Sequence, residues 1–397
     1  MYSPMTFRLV SSMALVAAFA ATGCGGDSST PDAGGGGGVT GDGRGVRLSA
    51  TFTTACARKS DGAVVCWGRN NGEQLGDSTT TDRAAPGAVP NVGASRDVAV
   101  GGFHACAVLQ TGAVKCWGTN RNGQLGFGME MTQPMGAVDV SSIADAIAVT
   151  AGNAHTCALR QSGQASCWGG NDQGQVGDGS VAGSRAFPST VTGMTVITDL
   201  IALDAGNNHT CALRDNGGVV CWGAGTLGQL GQGQSMGAIQ SVPVMGLADA
   251  VQVSAGGNHS CAVRQGGAVV CWGANGSGQL GDGSTTNRNA PTAVLGIADA
   301  TYVSCGNQHT CVARRTGAVV CFGSNMGGQL GDGSTTDRMA PTPVMGVDNV
   351  VALAAGGDFT CALRGDGSVS CWGGNGNGQL GRGDFGAGPL PPAPVSL

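Results

Sequence analysis

The sequence predicts an all-β protein, a seven-bladed β-propeller of four-stranded blades that fills residues 46–397 and is closed by strands shared between its two ends. Three observations lead there. A phrase of the type His-Thr-Cys-Ala-Leu, turn, Val-Val-Cys-Trp-Gly, then Gly-Gln-Leu-Gly, complete at residues 209–231, recurs seven times. Its first cysteine falls at Cys56, Cys106, Cys157, Cys211, Cys261, Cys311 and Cys361, in steps of 50, 51, 54, 50, 50 and 50. A fixed period near fifty with strand-like content marks a propeller, not a helical solenoid. Composition agrees: the chain has 74 Gly but only two Lys (Lys59, Lys115) and two Glu (Glu73, Glu130) in 397 residues. Long surface helices carry such side chains in opposed pairs, whereas Gly with Val, Ala and Thr suits short strands and tight turns. The net charge of −5 is unclustered, and no basic stripe of the kind a nucleic-acid reader carries is visible.

Residues 1–23 read as an export signal. Arg8 is the only cation, Leu9 to Ala21 is apolar, and Ala21-Thr22-Gly23-Cys24 ends the stretch, which is short for a membrane span. A Cys after a small residue at this place resembles the bacterial lipobox, which implies cleavage before Cys24 and lipidation of its thiol; Ala21 stands where Leu is usual. Gly25 and Gly26 follow, with no adjacent Asp, which favours the outer membrane or cell surface. Residues 24–45, with Gly34 to Gly38 in a row, cannot bury enough apolar surface to offset ordering entropy, and read as a flexible tether.

One unit shows the expected blade. Val350 to Ala354 is a buried strand, Gly356-Gly357 turns, Phe359 to Arg364 is the second strand, and Gly365-Asp366-Gly367 turns again. Val369 to Trp372 is the third, and a Gly-Gln-Leu-Gly loop leads to a Pro-containing fourth of the kind seen at Pro341 to Val344. The first unit opens at Val46 to Ala50 without a preceding Pro-x-Pro-Val segment, and the chain ends on Pro392-Ala393-Pro394-Val395 without a following inner strand. Joining the two in one blade would close the ring and remove an exposed sheet edge.

The pattern Gly-x-x-His-Thr-x-Ala-Leu, Gly-x-Val-x-x-Trp-Gly-x-Asn, Gly-Gln-Leu-Gly resembles the RCC1 (regulator of chromosome condensation) repeat across residues 46–397. That resemblance implies a seven-bladed propeller and says little about function, because one fold hosts many.

Fourteen of the sixteen cysteines form seven pairs ten residues apart: Cys56 with Cys66, Cys106 with Cys116, Cys157 with Cys167, Cys211 with Cys221, Cys261 with Cys271, Cys311 with Cys321 and Cys361 with Cys371. In a hairpin turning near Asn216, residues 211 and 221 are directly opposed, at a site where Cα atoms lie about 4.5 Å apart, within disulfide reach. With an export signal, intra-blade disulfides are the natural reading. A His-Cys-Cys zinc site competes, since His104, His155, His209, His259 and His309 each precede the first Cys by two. Thr54 and Phe359 take the His place while both cysteines stay, so the pair does not need the His, and the five histidines read as packing. Cys305 stands where Ala205, Ala255 and Ala355 do and reads as a buried inert thiol.

Other signals dissolve into the repeat. Gly276-x-Gly278-x-x-Gly281 and Gly376-x-Gly378-x-x-Gly381 match a dinucleotide fingerprint as strings but open no helix. Asp282 to Thr286 and Asp332 to Thr336 lack the spaced carboxylates of a calcium loop and read as turns. Six Trp (67, 117, 168, 222, 272, 372), with Phe322 in the seventh slot, read as blade packing, and no carboxylate pair suggests acid–base catalysis. Neither a cofactor nor a metal is expected.

Binding is expected on a ring of loops, where departures from the repeat concentrate. Phe127, Met129 and Met131 in one loop, Met236 in another, and Phe103 and Phe187 are candidate contacts with a partner. The functional expectation is a non-catalytic, monomeric, lipid-anchored propeller of the cell envelope that binds a protein or surface polymer through one loop face. Some family members act as guanine-nucleotide exchange factors for a small GTPase, a second reading opposed by the export signal. Inhibition of a secreted enzyme is a third.

Overall fold

Each blade is built from one continuous stretch of chain. The computed structural model describes residues 46–131, 136–181, 183–193 and 197–397; the expected signal peptide, the tether and Cys24 lie outside them. The described residues form 28 strands in seven four-stranded antiparallel sheets, and within every sheet the strands follow one another in sequence order. Blade 1 runs through Arg47–Thr51, Thr54–Arg58, Val64–Gly68 and Arg83–Ala88, and blade 7 through Val350–Ala355, Phe359–Arg364, Val369–Asn375 and Gly386–Val395. Blades 2 to 6 occupy residues 95–139, 146–190, 200–243, 250–293 and 300–343. The ends of the first strands line a narrow axial cavity of about 30 Å³.

The expected strand exchange between the chain ends does not occur. The segment at 392–395 is the fourth strand of its own blade, with Pro394 opposite Ser370 and Val395 opposite Val369. Blade 1 has its own counterpart, where Gly87 lies opposite Cys66 and Ala88 opposite Val65. A unit counted from inner strand to Pro strand is therefore already a whole blade. Closure uses the kinds of bond that join other neighbouring blades. Gly357 donates its N–H to Phe52 O at 2.7 Å, Gly383 to Ala84 O at 2.7 Å, and the Trp67 indole to Gln379 O at 2.9 Å. One hydrophobic cluster runs across this seam, holding Leu48 and Trp67 together with Leu353 and Trp372.

Inside a blade the pleat does what the register requires. In blade 4, Cys211 faces Cys221 and Leu213 faces Val219, so that sulfur pair sits beside an apolar pair on one face. The cysteines are opposed in every blade, and all seven hairpins carry the expected disulfide. Cys56 is joined to Cys66, Cys106 to Cys116, Cys157 to Cys167 and Cys211 to Cys221. Cys261 is joined to Cys271, Cys311 to Cys321 and Cys361 to Cys371. The Cα–Cα separations are 4.0 or 4.1 Å throughout, a little closer than the roughly 4.5 Å expected of a directly opposed pair. Each bridge closes a short loop in the unfolded chain, which contributes about 3 kcal/mol.

The tryptophans join blades. All six are fully buried, and each indole N–H reaches a glutamine carbonyl in the Gly-Gln-Leu-Gly turn, or its Glu-Gln-Leu-Gly or Gly-Gln-Val-Gly variant, of the preceding blade, as from Trp272 to Gln229 O at 2.9 Å and Trp117 to Gln74 O at 3.0 Å. That turn is consequently an inter-blade wedge, and Leu280 and Leu330 at its centre in two blades are wholly buried. The Asn of Trp-Gly-x-Asn clamps it: Asn275 Oδ1 accepts from Leu280 N–H at 2.9 Å, while its amide donates to Ser284 O at 3.0 Å. Gly281 ends the wedge with φ of +63°, and a Cβ there would lie 2.7 Å from the Phe322 ring. Only glycine meets both demands.

Candidate partner-binding site

The turn between first and second strands and the start of the loop after the third strand share one end of every blade, because His209 opens the second strand opposite Gly223, which closes the third. Around the ring the first turns are knit backbone to backbone: Asn153 N–H to Asn207 O at 3.1 Å, Gly257 N–H to Gly306 O at 3.1 Å, Asn307 N–H to Gly356 O at 3.0 Å. This end is thus a rigid ring of turns, the kind of platform that presents side chains without ordering cost.

The histidines brace it. Nε2 of His104, His155, His209, His259 and His309 lies 2.8 to 2.9 Å from the hydroxyl of Thr156, Thr210, Ser260, Thr310 and Thr360 in the following blade. Thr156 donates onward to Gln124 O at 2.9 Å and Thr310 to Gln279 O at 2.8 Å, so their hydroxyls accept from the imidazoles and the Nε2–H tautomer is fixed. Burial holds the rings well below the usual 6.5, at about 4 for His104 and His209 and about 3 for His155, His259 and His309. They are neutral struts. Where a blade lacks the His, the next blade lacks the hydroxyl: Phe359 is followed by Ala55, and Thr54 by Ala105. The glycine of the turn belongs to the same unit, because a Cβ on Gly206 would lie 2.3 Å from His209 Cε1. Blade 1, with Thr54 in place of His, can carry Thr51 there instead.

Blade 1 is therefore the exception on both flanks, and it borders two wide openings. A cavity of about 510 Å³ beside the axial mouth runs from blade 6 over blades 7 and 1 to the first turns of blades 2 and 3. Its walls include Phe52, Arg69, Phe103, Met326 and Asp358. Phe52 holds φ of +44°, an unfavourable conformation for a side chain with Cβ, fixed by the Gly357 bond to its carbonyl. The Arg69 guanidinium lies 5.8 Å from the centre of the Phe103 ring. A neighbouring cavity of about 420 Å³ has Phe103 and Arg121 in its walls.

Of the residues singled out from the sequence, Phe103 is 39% exposed and stands at the centre of this region. Phe127 is half-buried against the blade 2 core, whereas Met129 and Met131 are exposed. The Phe127 loop is carried to the fourth strand of blade 3, where Gly128 N–H donates to Ala186 O at 3.0 Å and the Phe187 ring covers Gly128. Met129 and Phe187 thus belong to the rim between blades 2 and 3, separate from Phe103. Met236 stands apart in blade 4. There Gly225 replaces the clamping Asn, and a Cβ on it would lie 1.8 Å from Met236 O, so the unusual loop fills the space the missing amide leaves. Phe52, Arg69, Arg121, Met326 and Asp358 escaped notice in the sequence. The signal was available: Phe52 stands where other turns have Asn or Gly, and Arg69 where other blades have Thr119, Gly170 or Ala224.

Cys305 is buried in the first strand of blade 6, and burial pushes its thiol up to about 12. Among the described residues, His259, Cys261 and Cys305 form the one cluster of metal-ligating atoms, mutually within 4.8 Å. Cys261 is committed to its disulfide with Cys271, leaving one imidazole and one thiol, too few for a zinc site. The Asp282 carboxylate is occupied by Ser284 and by Arg288 at 2.7 Å, which is turn chemistry.

The RCC1-like domain pattern matches residues 131–396, and single RCC1 repeats match residues 61–108 and 96–124. Human regulator of chromosome condensation is 40% identical over 86 residues, covering 21% of this chain and 20% of that protein. A zebrafish RCC2 homologue is 39% identical over 88 residues, 22% of this chain and 17% of that protein. The matched segments thus span a fifth or less of those relatives' lengths. Among solved structures, Prp20p of Saccharomyces cerevisiae, studied for its binding to Gsp1p and histones, superposes with a TM-score of 0.74 at 20% identity, covering 91% of this chain and 90% of that one. Human WBSCR16 does so with a TM-score of 0.74 at 21% identity, covering 84% and 94%. Seven disulfide-pinned copies of one hairpin and its wedge, matched over two thirds of the chain, place this protein in the RCC1-like domain family.

Proposed function

We propose that this chain is a non-catalytic propeller that binds another protein through the end carrying the first hairpin turns, and that it works outside the cytoplasm, tethered by a lipid on Cys24. The observation that carries the binding reading is the cavity beside the axial mouth, whose walls Phe52, Arg69 and Phe103 are each departures from a repeat that is otherwise closely kept. A pocket of this size with apolar walls and a few convergent polar groups is where ligands usually enter. Seven buried disulfides support an oxidising compartment, and the export-like segment before Cys24 supports a membrane tether.

Exchange-factor activity on a small GTPase is the second reading, favoured by the family and opposed by that leader segment. Photo-crosslinking from a reactive residue at position 103, beside one at position 316 in a turn at the opposite end of blade 6, tests the binding face on envelope extract. A product from 103 and none from 316 is expected. Accelerated release of a labelled guanine nucleotide from a GTPase panel, with no envelope product, would replace this reading with the second.

A further inference from the structure

Most arginines that recur with the repeat are paired with aspartates; Arg58, in the same slot of blade 1, donates to Ser95 O at 2.9 Å. Arg214 pairs with Asp199 at 2.8 Å and Arg264 with Asp249 at 2.8 Å; in the loops, Arg288 pairs with Asp282 at 2.7 Å and Arg338 with Asp332 at 2.8 Å. Arg69 and Arg121 stand outside both series, and among the described residues neither makes an ion pair. Both border Phe103. Arg69 lies over its ring, and Arg121 lines the cavity on its other side, where no carboxylate contributes to the wall. Across the larger cavity Asp358 is held back, its Oδ1 accepting from Gln379 at 3.1 Å and its Oδ2 lying against Gly374. A protein of net charge −5 therefore carries two unneutralised guanidinium groups around one exposed aromatic ring that borders both cavities.

We propose that Phe103, flanked by Arg69 and Arg121, is the anchor for an acidic segment of a partner protein. An apolar side chain of that segment seats against Phe52, Phe103 and Met326, and its neighbouring carboxylates are taken by the two guanidinium forks. Arg on an aromatic face is pre-organised for bidentate carboxylate recognition and weakly hydrated, so the charge-assisted bonds form at low cost. The apolar walls favour a peptide over an acidic polysaccharide, whose hydroxylated rings would leave Phe52 and Met326 without matching surface. This rests on the binding reading above and names the chemistry of the partner.

The test uses the full chain with disulfides intact and a fluorescein-labelled peptide, Asp-Glu-Leu-Phe-Glu-Asp, set against its amide analogue Asn-Gln-Leu-Phe-Gln-Asn and against polygalacturonate. Fluorescence polarisation should show the acidic peptide bound at least about tenfold more tightly than the amide, weakening as salt rises from about 50 to about 500 mM. Arg69→Gln and Arg121→Gln should each weaken it roughly tenfold, and Arg315→Gln, in a turn at the opposite end, should leave it unchanged, all with unaltered thermal unfolding. Equal affinity for acid and amide peptides overturns the proposal, as do wild-type affinity in both arginine variants, displacement of the peptide by polygalacturonate, or no binding of the acidic peptide up to about 1 mM. Loss of peptide binding with crosslinking at position 103 retained would remove this inference while leaving the binding face standing.

Discussion

Acidification from about pH 7 to about pH 5 should destabilise the propeller through its five buried histidines. Burial is the leading cause of each depressed pKa, and His155 and His259 are lowered further by neighbouring imidazoles. The sign follows from linkage. With folded values of about 4 or 3 against an unfolded 6.5, the unfolded chain binds protons that the folded chain refuses, so stability is complete above 6.5 and falls as the pH drops toward the folded values. Over that two-unit interval the loss is about 2 kcal/mol for each histidine and about 9 kcal/mol for all five. The aspartates held below their ordinary range, Asp77, Asp178, Asp282 and Asp332, add their own loss only in stronger acid, because at pH 5 they are ionised in both states. Guanidinium chloride unfolding with disulfides intact, followed by the six buried tryptophans, should show its midpoint falling by more than about 1 M across this range. Copying the blade 7 to blade 1 arrangement elsewhere, as His309→Phe with Thr360→Ala, should remove about one fifth of the pH dependence. A midpoint that does not move between pH 7 and pH 5 would show that the imidazoles are not neutral, buried struts.

Three further outcomes follow from the packing. Thiol counting under denaturing, non-reducing conditions should find one free thiol, that of Cys305, in protein lipidated at Cys24, and fourteen more only after reduction. Gly206→Ala should cost about 2 kcal/mol in chemical unfolding, since its Cβ would meet Gly256 O at 2.2 Å as well as the His209 ring; a neutral effect would mean the ring of turns is slack. Trp272→Phe, which imitates blade 6, should cost only about 1 kcal/mol by calorimetry, because Gln229 O keeps the Ser260 hydroxyl at 3.1 Å.

What repeats at the same position in every blade was legible in the sequence. The Cys pairs, the Trp row and the strand–turn rhythm each report the same local geometry seven times over, and the structure places them as expected. The fourth strand was legible as a strand but not as to its owner. Arg288–Ala293 and its equivalents are half-exposed, with no clean alternation to say which neighbour they face, so pattern alone allows the Pro strand to pair across the chain ends. The histidine struts were hidden by an offset: each partner hydroxyl belongs to the next repeat, about one period away, and only the paired absences, Phe359 with Ala55 and Thr54 with Ala105, give the link away. The blade 1 opening was hidden for the opposite reason. Phe103 stands out as a departure, but Phe52 and Arg69 each occur once, in different loops, and periodicity averages away what occurs once. Closure of the ring is what gathers them beside Asp358 of the last blade.

The central claim is that these single departures form the binding end of an otherwise uniform ring. Returning them to repeat residues in one variant, Phe52→Asn, Arg69→Ala and Phe103→Asn, and probing it with a photo-reactive residue at position 153 in the same cavity wall, tests it directly. The account expects a crosslinked partner with the native surface and none with the reverted one, at an unchanged unfolding midpoint. A reverted protein that captures the same partner in the same yield would contradict it.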